Sequence, residues 1–242
     1  CCGTTPEHLA AVVNKLGAKA IPQRVSNLDP GASSLYQYVP FRQDNTYLAI
    51  GERTNANGSR AFRDALIAED WESCVEIARD QIRDGAHMLD LSVDYVGRDG
   101  AKDMKELATR FATSSTLPIV LDSTEPAVLK AGLEALGGRS VINSVNYEDG
   151  DGPTSRFARI MPLVQEHGAS VVALTIDEEG QARDCEWKLR VARRLIKDLT
   201  DNWQMHTGDI LIDCLTFPIA TVQEDTRRDA IETIDAIRQL KI

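Results

Sequence analysis

From Tyr47 onward, short apolar runs rich in Val, Ile and Leu alternate with longer stretches of helical period. Leu48–Ile50, His87–Leu91, Ile119–Leu121, Ser140–Ile142, Val171–Ile176 and Ile210–Ile212 read as strands. Between them, Trp71, Val75, Ala78 and Ile82 fall on one face of a helix, and Leu129, Leu133 and Leu136 on another. Three more stripes follow: Phe157, Met161, Val164; Val191, Leu195, Leu199; and Ile231, Ile234, Ile237. Gly85, Gly137 and Gly168 sit where such helices should stop. The strands are continuous apolar runs rather than apolar/polar alternations, which predicts a sheet covered on both faces and therefore parallel. The pattern amounts to six βα units.

Residues 1–46 are patterned differently. Thr5 and Pro6 read as a helix N-cap and first-turn proline, Leu9, Val12, Val13 and Leu16 as a short apolar stripe, and Gly17 as its stop. From Ala18 to Asn45 the periodicity fades among prolines and turn residues, as expected of a linker or of an arm lying on a neighbouring domain.

Composition narrows the class. The 242 residues are 43% hydrophobic and 26% charged, ordinary globular usage. With 37 acidic and 27 basic side chains the net charge is −10, which argues against a nucleic-acid partner. No apolar run approaches the roughly 18 residues of a membrane span, so no membrane partner is expected. Five cysteines are no disulfide framework in a chain of this length. A cytoplasmic location follows as the expectation. The four histidines are dispersed, and Cys74 and Cys214 read as buried, inert thiols. Trp71, Trp187 and Trp203 read as packing or surface-anchoring groups.

Six βα units allow either an open doubly wound sheet or a (β/α)8 barrel of TIM type. No Gly-rich dinucleotide loop follows a strand. What ends the strands favours the barrel: Glu52, Asp90, Asp122, Asn143, Asp177 and Asp213 each close or follow an apolar run, with Asn55, Ser92, Asp94, Ser123, Ser144 and Asn146 just beyond. In a parallel barrel all of these gather at the C-terminal mouth. A single Asp or Ser there serves equally well as the N-cap of the next helix, and Ser123 and Thr124 before Glu125–Pro126 are as readily caps as ligands. The recurrence at six strand ends favours a shared site. A ring of carboxylates and carboxamides suits a hard cation, or a flat heterocycle whose edge alternates donors and acceptors, such as a 2-amino-4-oxopteridine. Closure of a barrel takes eight units, so a barrel truncated after about six is expected.

GERTN (51–55) leading to Gly58–Ser59–Arg60, then DLSVD (90–94), LDST (121–124), INSVN (142–146), DEEGQA (177–182) and Asp213, resembles the pterin-binding barrel of the cobalamin-dependent methionine synthase family. CCGTTPEHL (1–9) resembles the end of that family's homocysteine-binding domain. The resemblance implies residues 1–46 as a remnant of that domain plus linker, and residues 47–242 as a partial folate barrel. It implies 5-methyltetrahydrofolate as substrate, with its N5-methyl passing to cobalamin and on to homocysteine to give methionine. Glu52, Asn55, Asp90, Asn143, Asp177 and Asp213 would hold or line the folate, with Asn143 and Asp122 at the chemistry. Cys1 and Cys2 would be two of three zinc ligands in the whole enzyme, the third being absent here. The family's Asn two residues after the sixth-strand acid is Leu215 in this chain. The implied partner is the enzyme's cobalamin domain. Open sheet edges would also favour a dimer. Two alternatives stand beside this one: a dihydropteroate-synthase-like pterin enzyme, and a folate-binding piece with no turnover of its own.

Overall fold

The computed structural model describes residues 3–17, 29–218 and 226–240. The first segment holds α1 (Pro6–Leu16), opened by Thr5, whose N–H donates to His8 Nδ1, and closed at Gly17 with φ of 64°. None of its side chains is buried. Cys1 and Cys2 lie outside the described residues.

A hairpin, β1 (Gly31–Ser33) and β2 (Tyr38–Pro40), comes next, where the fading periodicity suggested no regular structure. Only Ala32 and Val39 in its strands carry buried apolar side chains, too few to make a pattern.

The main body is a six-stranded parallel sheet. Its strands are β3 (Ile50–Gly51), β4 (Met88–Leu91), β5 (Ile119–Asp122), β6 (Val141–Val145), β7 (Ser170–Leu174) and β10 (Ile210–Asp213), ordered β3-β4-β5-β6-β7-β10. Helices α2 (Arg60–Ile67), α3 (Trp71–Arg83), α4 (Gly100–Ser114), α5 (Pro126–Ala135), α6 (Arg156–His167) and α7 (Cys185–Asp201) connect them, and α8 (Asp229–Leu240) follows β10. Side-chain caps start most of these helices: Asp70 accepts from Ser73 N, Asp99 from Lys102 N, Ser155 from Ala158 N and Asp184 from Trp187 N. Gly168 ends α6 in the left-handed region. After α5 the glycine with positive φ is Gly138, not Gly137.

The six expected strands are present, with one correction. The run through Ile176 is broken at Thr175. Ile176–Asp177 (β8) leaves the sheet and pairs antiparallel with Gly180–Gln181 (β9). Asp177 therefore sits on a small hairpin rather than at the end of a sheet strand.

The two faces of the sheet bury different things. Leu89, Leu91, Ile119, Leu121, Ile142, Val171 and Ala173 face the helices and join Leu107, Phe111, Leu129, Ile160 and Leu195 in the main core. Met88, Val120 and Val141 point the other way, against Ala32 and Val39 of the β1–β2 hairpin, with Val172 and Leu211 alongside. The hairpin thus plugs the N-terminal half of the concave side. Two residues further along each strand, on the same face, come Asp90, Asp122, Asn143 and Asp213.

Candidate functional site at the barrel mouth

The loop after β3 is built to sit beside β4. Ser92 N donates to Thr54 O (3.2 Å) and Ala56 N to Ser92 O (2.9 Å), so the loop prolongs the sheet by a strand-like pairing. Gln81, buried on α3, holds it from behind: its Oε1 accepts from Arg53 N (2.6 Å) and its Nε2 donates to Thr54 Oγ1 (3.2 Å). Thr54 Oγ1 in turn donates to the Asp90 carbonyl. Gln81 is a polar residue on the otherwise apolar stripe of its helix. That mismatch is the sequence signal that marks it.

This scaffold aims Asn55 into the mouth. Its Nδ2 donates to Asp90 Oδ2 and to Asp122 Oδ2, both at 2.8 Å, while its Oδ1 accepts from Asn57 N and Gly58 N. One carboxamide therefore ties together two carboxylates from adjacent strands. Asn143, paired with Asp122 in the β5–β6 register, lies close enough to Asp90 to favour its charged carboxylate. Glu52 lies close enough to add its charge to both acids.

Burial dominates the electrostatics. Asp90 is 4% exposed, and desolvation pushes its carboxyl up to about 7, opposed first by the Asn55 hydrogen bond and then by nearby Asn143, and reinforced by Asp122 and Glu52. Asp122 is pushed up to about 6, again first by desolvation, with Asp94 and Glu52 adding to it and Asn55 opposing. Both acids are thereby biased towards holding a proton closer to neutral pH than an exposed carboxyl does.

Asp94 braces the rim. Its carboxylate accepts from Ser123 Oγ (2.8 and 2.9 Å) and Thr124 N (3.1 Å), and Ser123 Oγ also accepts from Glu125 N. Ser123 is thus a bridge between mouth loops, and the N-cap of α5 is Glu125.

The structure brings Glu52, Asn55, Asp90, Asp122 and Asn143 into one group. It does not put Asp177 in contact with them: Asp177 Oδ2 accepts from Trp187 Nε1 at 2.9 Å and lies 3.6 Å from the Arg190 guanidinium, and Oδ1 accepts from Glu179 N. Trp187, expected only to pack or anchor, is therefore a donor to a site candidate. Asp213 is exposed, its Oδ1 accepting from Leu215 N at 2.7 Å. Cys74 and Cys214 are buried as expected, and burial pushes the Cys74 thiol up to about 11. Among the described residues no group of three His, Cys, Asp or Glu side chains has the geometry of a metal site. No described helix is long and apolar enough to cross a membrane. A concavity of about 830 Å3 lies between α6 and α7 beside Tyr147, Phe157 and Trp203, with none of these mouth residues in its lining.

Comparison with known proteins agrees with this geometry. Residues 51–242 match the family described as pterin binding enzyme. The whole chain aligns at 65% identity, over 241 residues, with methionine synthase of Mycobacterium tuberculosis, and at 63% over 246 residues with that of Mycobacterium leprae. It spans about a fifth of the length of these relatives, 20% in each case. Among solved structures, Burkholderia cenocepacia dihydropteroate synthase superposes with a TM-score of 0.59 at 14% identity, covering 86% of this chain and 70% of that one. The Xanthomonas albilineans dihydropteroate synthase with 4-aminobenzoic acid gives 0.57 at 16%, covering 78% and 66%. At such identities these two show the fold, a barrel of which this sheet forms part.

Proposed function

The chain belongs to the pterin binding enzyme family, and on that premise we propose that its mouth binds 5-methyltetrahydrofolate as the methyl donor of a methionine synthase. The observation that carries this reading is the Asp90–Asn55–Asp122 bridge with Asn143 beside it. Buried Asp90, pushed up to about 7, and half-buried Asp122, pushed up to about 6, offer an acceptor and a donor on adjacent strands. The 2-amino-4-oxo edge of a pterin has the complementary alternation. Carboxamides cannot ionise, so Asn55 and Asn143 keep their polarity while the acids titrate.

The chemistry asks for a proton. Breaking the N5–methyl bond leaves its electron pair on nitrogen, and an amine anion is a poor leaving group. Asp122, pushed up to about 6, can hold a proton and deliver it towards N5 through ordered water, while Asn143 orients the ring. A reduced corrinoid, when bound, supplies the nucleophile that takes the methyl before it passes to homocysteine. In this reading that group is brought by the remainder of the protein, and an open mouth leaves it an in-line approach. Residues 1–46 then belong to the end of the homocysteine domain and a linker. Zinc needs at least three protein ligands. Cys1 and Cys2 supply two, and no step is assigned to the metal here.

The dihydropteroate-synthase-like alternative calls for basic side chains to hold a pyrophosphate, whereas the strand ends here carry acids and amides. Under the other alternative the mouth binds folate without turning it over.

Calorimetric titration with 5-methyltetrahydrofolate tests the pocket. Asp90→Ala and Asn143→Ala should each weaken binding by about tenfold or more, as expected when a buried hydrogen-bond partner of a ligand is removed. Equal affinity in all three proteins would refute the assignment.

A further inference from the structure

We propose that Lys188 is a positioning residue of the mouth, whose ammonium acts as a built-in cation fixing the Asp213–Leu215 turn against the exit of the Asp177 hairpin. The inference rests on the pterin reading for its functional meaning, and on geometry for its physical content.

Lys188 lies in the first turns of α7 on the stripe that includes Ala192, Leu195 and Leu199, and it is fully buried. Its Nζ donates to Ala182 O (2.8 Å), Cys214 O (2.8 Å) and Leu215 O (3.2 Å). All three ammonium hydrogens are thereby accounted for by main-chain carbonyls. Among the described residues no carboxylate is within ion-pair distance of it. The charges that face it are Asp229 and Asp213 in its favour and Arg183 against, with the Cys214 thiol beside it. A buried ammonium is expensive compared with the Leu or Met that the same stripe would accept. What it provides here, and an apolar side chain would not, is a common anchor for two separate mouth segments.

Those segments carry site candidates. Ala182 ends the hairpin that bears Asp177, and its N–H donates to Thr175 O; Thr175 N in turn donates to Asp213 O. Leu215 stands at φ of 53°, a left-handed region that an L side chain with a Cβ enters only against steric strain. Its peptide groups are clamped from both sides. The carbonyl accepts from Lys188 Nζ and Thr233 Oγ1, and the N–H donates to Asp213 Oδ1. The direction in which the Asp213 carboxylate points is therefore set through Leu215 by Lys188.

The test is a double-mutant cycle read by affinity for 5-methyltetrahydrofolate, with amide hydrogen exchange at Leu215 as an independent readout. Lys188→Met and Asp213→Ala should each weaken binding by about tenfold, and the double variant should bind no worse than Asp213→Ala alone. Additive losses, or a Lys188→Met protein that binds like the parent, would overturn the proposal. Should Lys188→Met fail to fold, Lys188→Gln takes its place in the cycle. In either variant the Leu215 amide should exchange at least tenfold faster than in the parent, and unchanged exchange would also overturn it. A parent chain that binds no folate at all would sink the pterin reading instead, and the exchange experiment would still decide the role of Lys188.

Discussion

Asp90 shows why a residue can be legible in a sequence while its state is not. Its place after an apolar run marks it as a mouth residue. That it shares a carboxamide with Asp122, and is desolvated, depends on Asn55 reaching it from 35 positions away. The consequence for stability has a definite sign. The folded carboxyl is raised from 3.8 to about 7, so between those values the folded chain keeps a proton the unfolded chain has released. The contribution of Asp90 to stability is then fullest below pH 4, falls as pH rises through this window, and levels off above about 7. Asp90→Asn keeps the acceptor for Asn55 and removes the buried charge. Thermal unfolding at pH 8 should show it more stable than the parent by on the order of 2 kcal/mol, with the difference vanishing at pH 4. A variant less stable than the parent at pH 8 would contradict the assigned burial cost. Gln81, Trp187 and Lys188 mark the limit of residue-level reading: each is a polar-tipped side chain whose partner is supplied by a distant loop, and only the oddity of a polar residue on an apolar stripe points to Gln81 and Lys188.

At the scale of elements, the strands were legible because each is a short apolar run, wholly buried in β4 and half-exposed only at the edge strands β3 and β10. Two helices were not. The α4 stripe of Met104, Leu107, Ala108 and Phe111 is regular, but Gly100 opens it and Lys102, Asp103, Lys105 and Glu106 dilute it. α2 buries only Phe62 and Leu66. The β1–β2 hairpin was hidden for another reason: it forms against the sheet rather than from its own pattern. Its docking rests on a two-way bridge in which Ser33 N donates to Arg139 O (3.0 Å) and Arg139 N to Ser33 O (2.8 Å). Gly138, at φ of 84°, lets the two backbones approach, and a Cβ there would overlap the Ser33 carbonyl. Gly138→Ala should therefore lift the hairpin off Met88, Val120 and Val141 and destabilise the chain by about 2–4 kcal/mol, summing left-handed strain and overpacking. Denaturant unfolding measures it. Because the hairpin plugs the end of the sheet opposite the acids, loss of stability with folate affinity intact in the folded fraction is the specific expectation. A folded, fully stable Gly138→Ala protein would show that the hairpin is not seated as described.

For the whole molecule, what the sheet leaves uncovered matters as much as what it buries. β3 and β10 each have one strand partner among the described residues, and every residue of β10 is at least partly exposed where β4 is wholly buried. On α8, the helix that follows β10 and packs on α7, Ile231, Ile234 and Ile237 are 51%, 50% and 48% exposed, forming an apolar stripe. An open strand edge and a stripe of exposed isoleucines each favour pairing with another surface. The net charge of −10 opposes pairing between like copies. The balance is tunable, since the distance over which the charges repel shrinks from roughly 10 Å at 0.1 M salt to about 3 Å at 1 M. Sedimentation velocity should therefore show self-association of the chain that strengthens as salt is raised, the reverse of an assembly held by ion pairs. Ile234→Lys, placed in the middle of the stripe, should suppress it without unfolding the chain, because that side chain is already half in water. A species that stays monomeric at every salt concentration would mean that the strand edge and the isoleucine stripe are protected in solution. The open half-barrel would then not be the arrangement the chain adopts there.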